Sequence, residues 1–234
     1  DFTATGGASF GAASTGSTIP PVAILGYTSK PTAGLLGDSI QLGAVNLVTT
    51  NFAGNGFGDQ GLNAKSIGPA MAYINLGSYG DRGNAFVANS TRRQALANYC
   101  SHIVCNYGTN DIFSSLNTAA TLITNLTAIA ALFPNKPFWQ NTITPRTTST
   151  DAWATTVNQT VTAGEAERIS FNATLRGGVT WAAGMFDTAA VIESGYLSGF
   201  WKAPGWTVDG THPAVLAQVL IQASGAVTPA PLTR

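Results

Sequence analysis

Charge is scarce in this sequence. Of its 234 residues, 11 are basic and 11 acidic, 9% in all, against 44% hydrophobic. Zero net charge with no Lys/Arg run leaves no electrostatic footprint for nucleic acid, so no nucleic-acid partner is expected. Long apolar runs are missing too. The best candidate for a membrane span, Ala119 to Phe133, is broken by Thr121, Thr124, Asn125 and Thr127, whereas a spanning helix needs about 20 apolar residues. Cysteine is limited to Cys100 and Cys105 and histidine to His102 and His212, too few for a zinc site built on paired CxxC units. If the segment between the two cysteines is a strand, their Cα atoms lie beyond the roughly 7 Å that a disulfide spans, so both read as buried thiols. There is no internal repeat and no GxxxxGK[ST] phosphate loop.

Polarity is carried instead by Thr, Ser, Asn and Gly, a composition that suits a secreted or extracytoplasmic protein. The chain opens at Asp1 with no signal-like segment, as expected of a processed or trimmed sequence. Its length allows one sizeable core, burying roughly 70–75% of the unfolded surface. Residues 1–30 show little periodicity and read as an N-terminal extension or linker, or as an extra edge strand around Val22 to Tyr27. Residues 31–234 read as the folded domain.

Within that domain, short apolar runs alternate with helical patterns. Ala33 to Leu36, Met71 to Leu76, His102 to Tyr107 and Phe138 to Ile143 read as four strands, and a fifth is expected within Val179 to Ile192. Residues 51–68 read as a long Gly/Asn-rich loop. Helices are expected over Arg82 to Tyr99, over a 3–4-spaced stripe from Leu116 to Leu132 that Pro134 stops, over Asp151 to Leu175, and over 213–225. Strand alternating with helix five times argues for an α/β fold with a parallel sheet covered on both faces.

One tempting motif is set aside. Gly56-Phe57-Gly58-Asp59-Gln60-Gly61 matches GxGxxG. A dinucleotide site, however, needs those glycines to follow the first strand and open a helix, and only Leu62 to Gly68 follows here before Pro69.

Polar residues gather where the strands end: Gly37-Asp38-Ser39, Gly80, and Gly108-Thr109-Asn110-Asp111. Asp209-Gly210-Thr211-His212 precedes the last helix. In an open parallel sheet, loops at the carboxyl ends of strands beside the switch point share one crevice. If strand 1 lies between strands 2 and 3, Ser39, Gly80 and Asn110 meet there. In order and kind these blocks resemble the SGNH (GDSL) hydrolases, a likeness running from residue 37 to 213. Gly37-Asp38-Ser39-Ile40 stands for the name-giving block, with Ile40 in place of leucine. Asn75-Leu76-Gly77-Ser78-Tyr79-Gly80-Asp81 stands for the second, although Arg82 follows where a small hydroxyl residue is more usual.

The resemblance implies a three-layer α/β/α sandwich with a five-stranded parallel sheet in flavodoxin-like order. It also implies a serine ester hydrolase with no cofactor and no metal. Ser39 would be the nucleophile, His212 its base and Asp209 the group that orients the imidazole; a serine hydroxyl is a poor nucleophile until such a base takes its proton. Ser39 N–H, Gly80 N–H and the Asn110 amide would form the oxyanion hole. The expected substrate is a small O-acyl ester, acetyl first and on a carbohydrate; short-chain lipid esters, thioesters and acyl transfer to a sugar hydroxyl are the alternatives. A carbohydrate-binding surface module without turnover is the alternative outside enzymes, and oligomeric state is left open.

Each residue also has a plainer explanation. Ser39 can be a helix N-cap, and Asn110-Asp111 and Asp209-Gly210 ordinary turns. His102, without an acid nearby in sequence, reads as structural. Trp201 and Trp206 read as substrate contacts, stacking on a sugar or enclosing an acyl group, or else as core beneath the terminal helix. Trp139 and Trp181 read as core.

Overall fold

A computed structural model describes residues 26–44 and 61–233. Most of the edge strand considered around 22–27 and most of the 51–68 loop lie outside the described residues. The chain runs from β1 (Thr32–Gly37) into α1 (Ser39–Leu42), then through α2 (Ala64–Ile67) to β2 (Ala72–Gly77). Next come α3 (Gly83–Asn89), α4 (Thr91–Ala97) and β3 (His102–Cys105), followed by α5 (Thr109–Phe113), α6 (Ala119–Ala131) and β4 (Phe138–Asn141). A hairpin of β5 (Thr147–Ser149) and β6 (Gln159–Val161) leads to α7 (Glu165–Arg176), β7 (Gly184–Phe186), α8 (Thr188–Ile192) and α9 (Val215–Ser224).

The five-stranded sheet has the order β2-β1-β3-β4-β7, with every neighbour parallel. Strand 1 therefore does lie between strands 2 and 3. The central strands are buried on both faces, so their sequences are apolar runs rather than alternations: His102–Cys105 is buried at every position. Successive side chains still point to opposite faces. Leu36, Ile103 and Cys105 join a core with Phe86, Leu122, Leu126, Ile129 and Phe171, beneath α3, α6 and α7. Leu35 and Val104 join the opposite core with Ile40, Ile67, Ile192, Trp201 and Ile221, beneath α1, α2, α8 and α9. The result is a three-layer α/β/α sandwich.

Cys100 and Cys105 are buried free thiols. Among the described residues no helix is long and apolar enough to cross a membrane.

Local chemistry explains where the elements differ from expectation. The span 82–99 is two helices because the chain breaks at Ser90 (φ −115°), and Gln94 Nε2 from the second helix donates to the helix-end carbonyls of Phe86 (2.7 Å) and Val87 (3.1 Å) in the first. The helix expected over 151–175 starts only at Glu165. Before it, Asp151 accepts from Ser149 Oγ (2.7 Å), Thr155 Oγ1 (2.6 Å) and Asn158 Nδ2 (3.0 Å), local bonds that compete with a helical backbone. Ala152 and Trp153 take left-handed φ values of 54° and 58°, and the flanking Thr-rich segments pair as β5 and β6.

Candidate active site

The register of β1 against its neighbours pairs Leu36 with both Leu76 and Cys105. The residues following these three strands consequently emerge side by side at the switch point. Gly37 permits the sharp exit from β1, since a Cβ there would sit 2.5 Å from Gln41 Cβ. Asp38, not Ser39, is the N-cap of α1: its Oδ1 accepts from Ile40 N at 2.9 Å. Ser39 is thus the first helical residue, a position whose N–H has no partner within the helix, and its hydroxyl is free for other work.

That hydroxyl meets a histidine 173 positions away. His212 Nε2 lies 2.8 Å from Ser39 Oγ, and His212 Nδ1 lies 2.6 Å from Asp209 Oδ2. Partner chemistry sets the protons: a carboxylate only accepts, so Nδ1 carries the hydrogen and Nε2 is left to accept from Ser39. The second Asp209 oxygen accepts from the backbone N–H of Thr211 (2.9 Å) and His212 (2.8 Å). Partial burial raises the pKa of Asp209, but the bonds from the His212 ring and from these two amides outweigh it and draw it down to about 2. Thr207 Oγ1 braces the loop, donating to His212 O (2.9 Å) and accepting from Gly210 N (2.9 Å).

Gly80 has φ +67°, the left-handed region that glycine enters freely, and the space where a Cβ would stand is open. Among the described residues its N–H meets no acceptor. Asn110 sits at the start of α5, where Nδ2 donates to Asp81 O at 3.1 Å. One of its two amide hydrogens is used in that bond, which leaves the other.

Asp38 is fully buried behind the serine. Burial lifts its pKa to about 7, the Ile40 amide and His212 pull it down, and the nearby charges of Asp111 and Asp81 push it up. Its Oδ2 has no hydrogen-bond partner among the described residues.

The reading of Trp201 as a substrate contact requires correction. Trp201 is wholly buried in the α8/α9 core, where its Nε1 donates to Gly210 O at 3.1 Å. It presents no face to a substrate; it fills the core and supports the acid–base loop. Trp206 packs half-buried against the same core, with Lys202 Nζ 5.0 Å from its ring centroid. Trp153 stands in none of the sequence blocks. Half-buried on the hairpin, its indole donates to Thr147 Oγ1 (2.9 Å) and lies against Gly210, whose O also accepts from Thr147 N (3.0 Å). His102 is buried at the far end of β3, with Nδ1 2.9 Å from Ser101 Oγ. Among the described residues no group of three or more His, Cys, Asp or Glu side chains could hold a metal ion.

Comparison by sequence is silent: no family model matches, and no curated protein does. Comparison by structure is not. A carbohydrate acetylesterase from Sinorhizobium meliloti is similar over 87% of this chain and 100% of its own, at 15% identity and a TM-score of 0.58. The aryl esterase of M. smegmatis is similar over 84% and 96%, at 14% identity and 0.56. A member of the lipolytic protein G-D-S-L family from Veillonella parvula is similar over 83% and 95%, at 16% identity and 0.55. With the sheet order, and with the serine turn at its switch point, these likenesses establish that the chain has the SGNH/GDSL hydrolase fold.

Proposed function

We propose that this protein is a serine carboxylic ester hydrolase working through an acyl-enzyme, with residues 31–234 as its catalytic unit. The observation that carries the proposal is the line from Ser39 Oγ to His212 Nε2 (2.8 Å) and from His212 Nδ1 to Asp209 Oδ2 (2.6 Å). In this reading His212 takes the Ser39 proton as Oγ attacks the ester carbonyl, and the carboxylate of Asp209 stabilises the imidazolium that forms. Negative charge moves onto the carbonyl oxygen, where Ser39 N–H, Gly80 N–H and Asn110 Nδ2 stabilise it. The proton on His212 then goes to the departing alcohol. Water, deprotonated by the same imidazole, attacks the acyl-serine and releases the acid.

The substrate class we favour is a small O-acyl ester, acetyl on a carbohydrate foremost. Its support is the low-charge composition suited to an extracytoplasmic setting and the carbohydrate acetylesterase among the structural neighbours. The test is a panel of acetylated sugars, p-nitrophenyl acetate and long-chain p-nitrophenyl esters, run with the parent and with Ser39→Ala. Turnover of the acetyl esters that disappears in Ser39→Ala is expected. Equal rates in both proteins would reject the hydrolase, and a preference for the long-chain esters would reject the substrate class alone.

A further inference from the structure

The two loops that carry the oxyanion donors are tied to each other through residues that play no part in the chemistry above. Asp81, next to Gly80, is the knot. Its backbone O accepts from Asn110 Nδ2 (3.1 Å). Its Oδ2 accepts from Tyr107 Oη (2.6 Å) and pairs with Arg93 Nη2 (2.6 Å). Arg93 in turn donates to Leu76 O (3.2 Å) at the end of β2, to Tyr107 Oη (3.2 Å) and to Ser90 Oγ, and its guanidinium lies 5.2 Å from the Phe86 ring centroid. Two residues on, Gly83 N donates to both carboxylate oxygens of Asp111 (3.2 and 3.3 Å). Residues 107–111 thus grip residues 81–83 at three points.

The consequence is geometric. The Asn110 amide has two hydrogens, and the bond to Asp81 O fixes the amide plane through one of them. The direction of the second hydrogen, the one available to an oxyanion, is then set by where Asp81 stands. Asp81 N also donates to Ser78 O (3.3 Å), closing the turn that holds the Tyr79–Gly80 peptide and with it the Gly80 N–H. The ion pair is well shielded, with side chains 10% (Asp81) and 25% (Arg93) exposed, and Tyr107 is wholly buried. An exposed ion pair would hold position poorly; this one is enclosed and shares its acceptor oxygen with a phenol.

We propose that Asp81, clamped by Tyr107 and Arg93, is a positioning residue that sets the Gly80 N–H and the Asn110 amide as one unit. The proposal rests on the hydrolase reading above. Tyr107→Phe is the mildest probe, since it removes one hydroxyl and keeps the ring that packs on Phe86 at 5.7 Å between centroids. Expected is a fall in kcat of about tenfold with KM within about twofold, because small misplacements of catalytic groups are costly. Affinity for an alkyl boronic acid, which forms a tetrahedral adduct on serine, should fall in step with kcat. Arg93→Met should behave likewise, and Arg93→Lys should recover part of the loss.

The decisive arm is a double-mutant cycle. On an Asn110→Ala background, Tyr107→Phe should lower kcat clearly less than it does in the parent, because the route through the amide is gone and only that through Gly80 remains. A full-sized effect there, or wild-type kcat in Tyr107→Phe with only a lower Tm, overturns the proposal. In either case a large loss in Asn110→Ala leaves the hydrolase reading standing. Full activity in Ser39→Ala removes both.

Discussion

The two halves of the site are built in opposite ways. The acid–base half lies within one turn: Asp209 and His212 are three positions apart, and Thr207 Oγ1 bonds His212 O and Gly210 N from within the same stretch. The oxyanion half joins segments 26 to 29 positions apart, through Tyr107 to Asp81 and Asn110 to Asp81. Exposure differs as well: the Asp209 side chain is 39% exposed and that of Asp81 10%. The acid–base turn is held largely by bonds within itself, with Trp201 Nε1 and Thr147 N bracing Gly210 O from outside, whereas the clamp on Asp81 exists only once distant segments are joined. Substitutions in the first half should therefore cost rate with little stability, and those in the second should reveal coupling between distant residues.

The largest effect that sharpens this contrast is expected from Asp209→Asn. The loop should keep its shape, but an amide no longer fixes the imidazole tautomer or offsets its positive charge. A loss in kcat of about 10⁴ is expected, the size seen when the acid of a Ser-His-Asp triad is neutralised in this way. Steady-state kinetics alongside a melting curve checks it; a large drop in Tm would mean that the loop is not self-contained. Next comes Asn110→Ala, with kcat lower by about 10²–10³, the usual result of removing one oxyanion donor. A loss that only tracks unfolding would return Asn110 to the role of a turn residue.

The smallest effect concerns Asp38, whose carboxyl feels His212 from one half and Asp81 and Asp111 from the other. Its pKa is raised from 3.8 to about 7 in the folded chain. The native state therefore holds this proton when the unfolded chain has released it, and stability falls as pH rises from about 4 to about 7. Asp38→Asn retains a good N-cap and removes that cost. Thermal melts should show a clearly higher Tm at pH 8 and no gain at pH 4. An equal gain at both values would place the origin elsewhere than in ionisation. Asp209 has the opposite sign: its pKa is depressed to about 2, so its contribution is present above about pH 4 and lost as pH falls towards 2.

Most of the fold was legible because buried parallel strands and amphipathic helices leave strong patterns. Examples are His102–Cys105 and the inward stripe Leu122, Leu126 and Ile129 of α6. The hairpin of residues 147–161 was not, since Thr-rich polar segments carry no decisive period and the bonds around Asp151 appear only in three dimensions. The site divides along the line drawn above. Ser39, Asp209 and His212 stand in short blocks with recognisable order, and the sheet brings them together. Arg93, Tyr107 and Trp153 lie in no such block. Arg93 and Tyr107 act through Asp81, 12 and 26 positions away, and Trp153 through contact with Gly210, far along the chain. Trp201 misled because an aromatic near a catalytic loop in sequence can serve that loop from inside the core.

The central claim is that His212 makes the Ser39 hydroxyl an active nucleophile. A fluorophosphonate tests it directly, since it phosphonylates an activated serine with loss of fluoride, and peptide mass spectrometry then locates the adduct. The expected result is stoichiometric labelling at Ser39, far slower in His212→Ala. No labelling, labelling at another serine, or an unchanged rate in His212→Ala would contradict it.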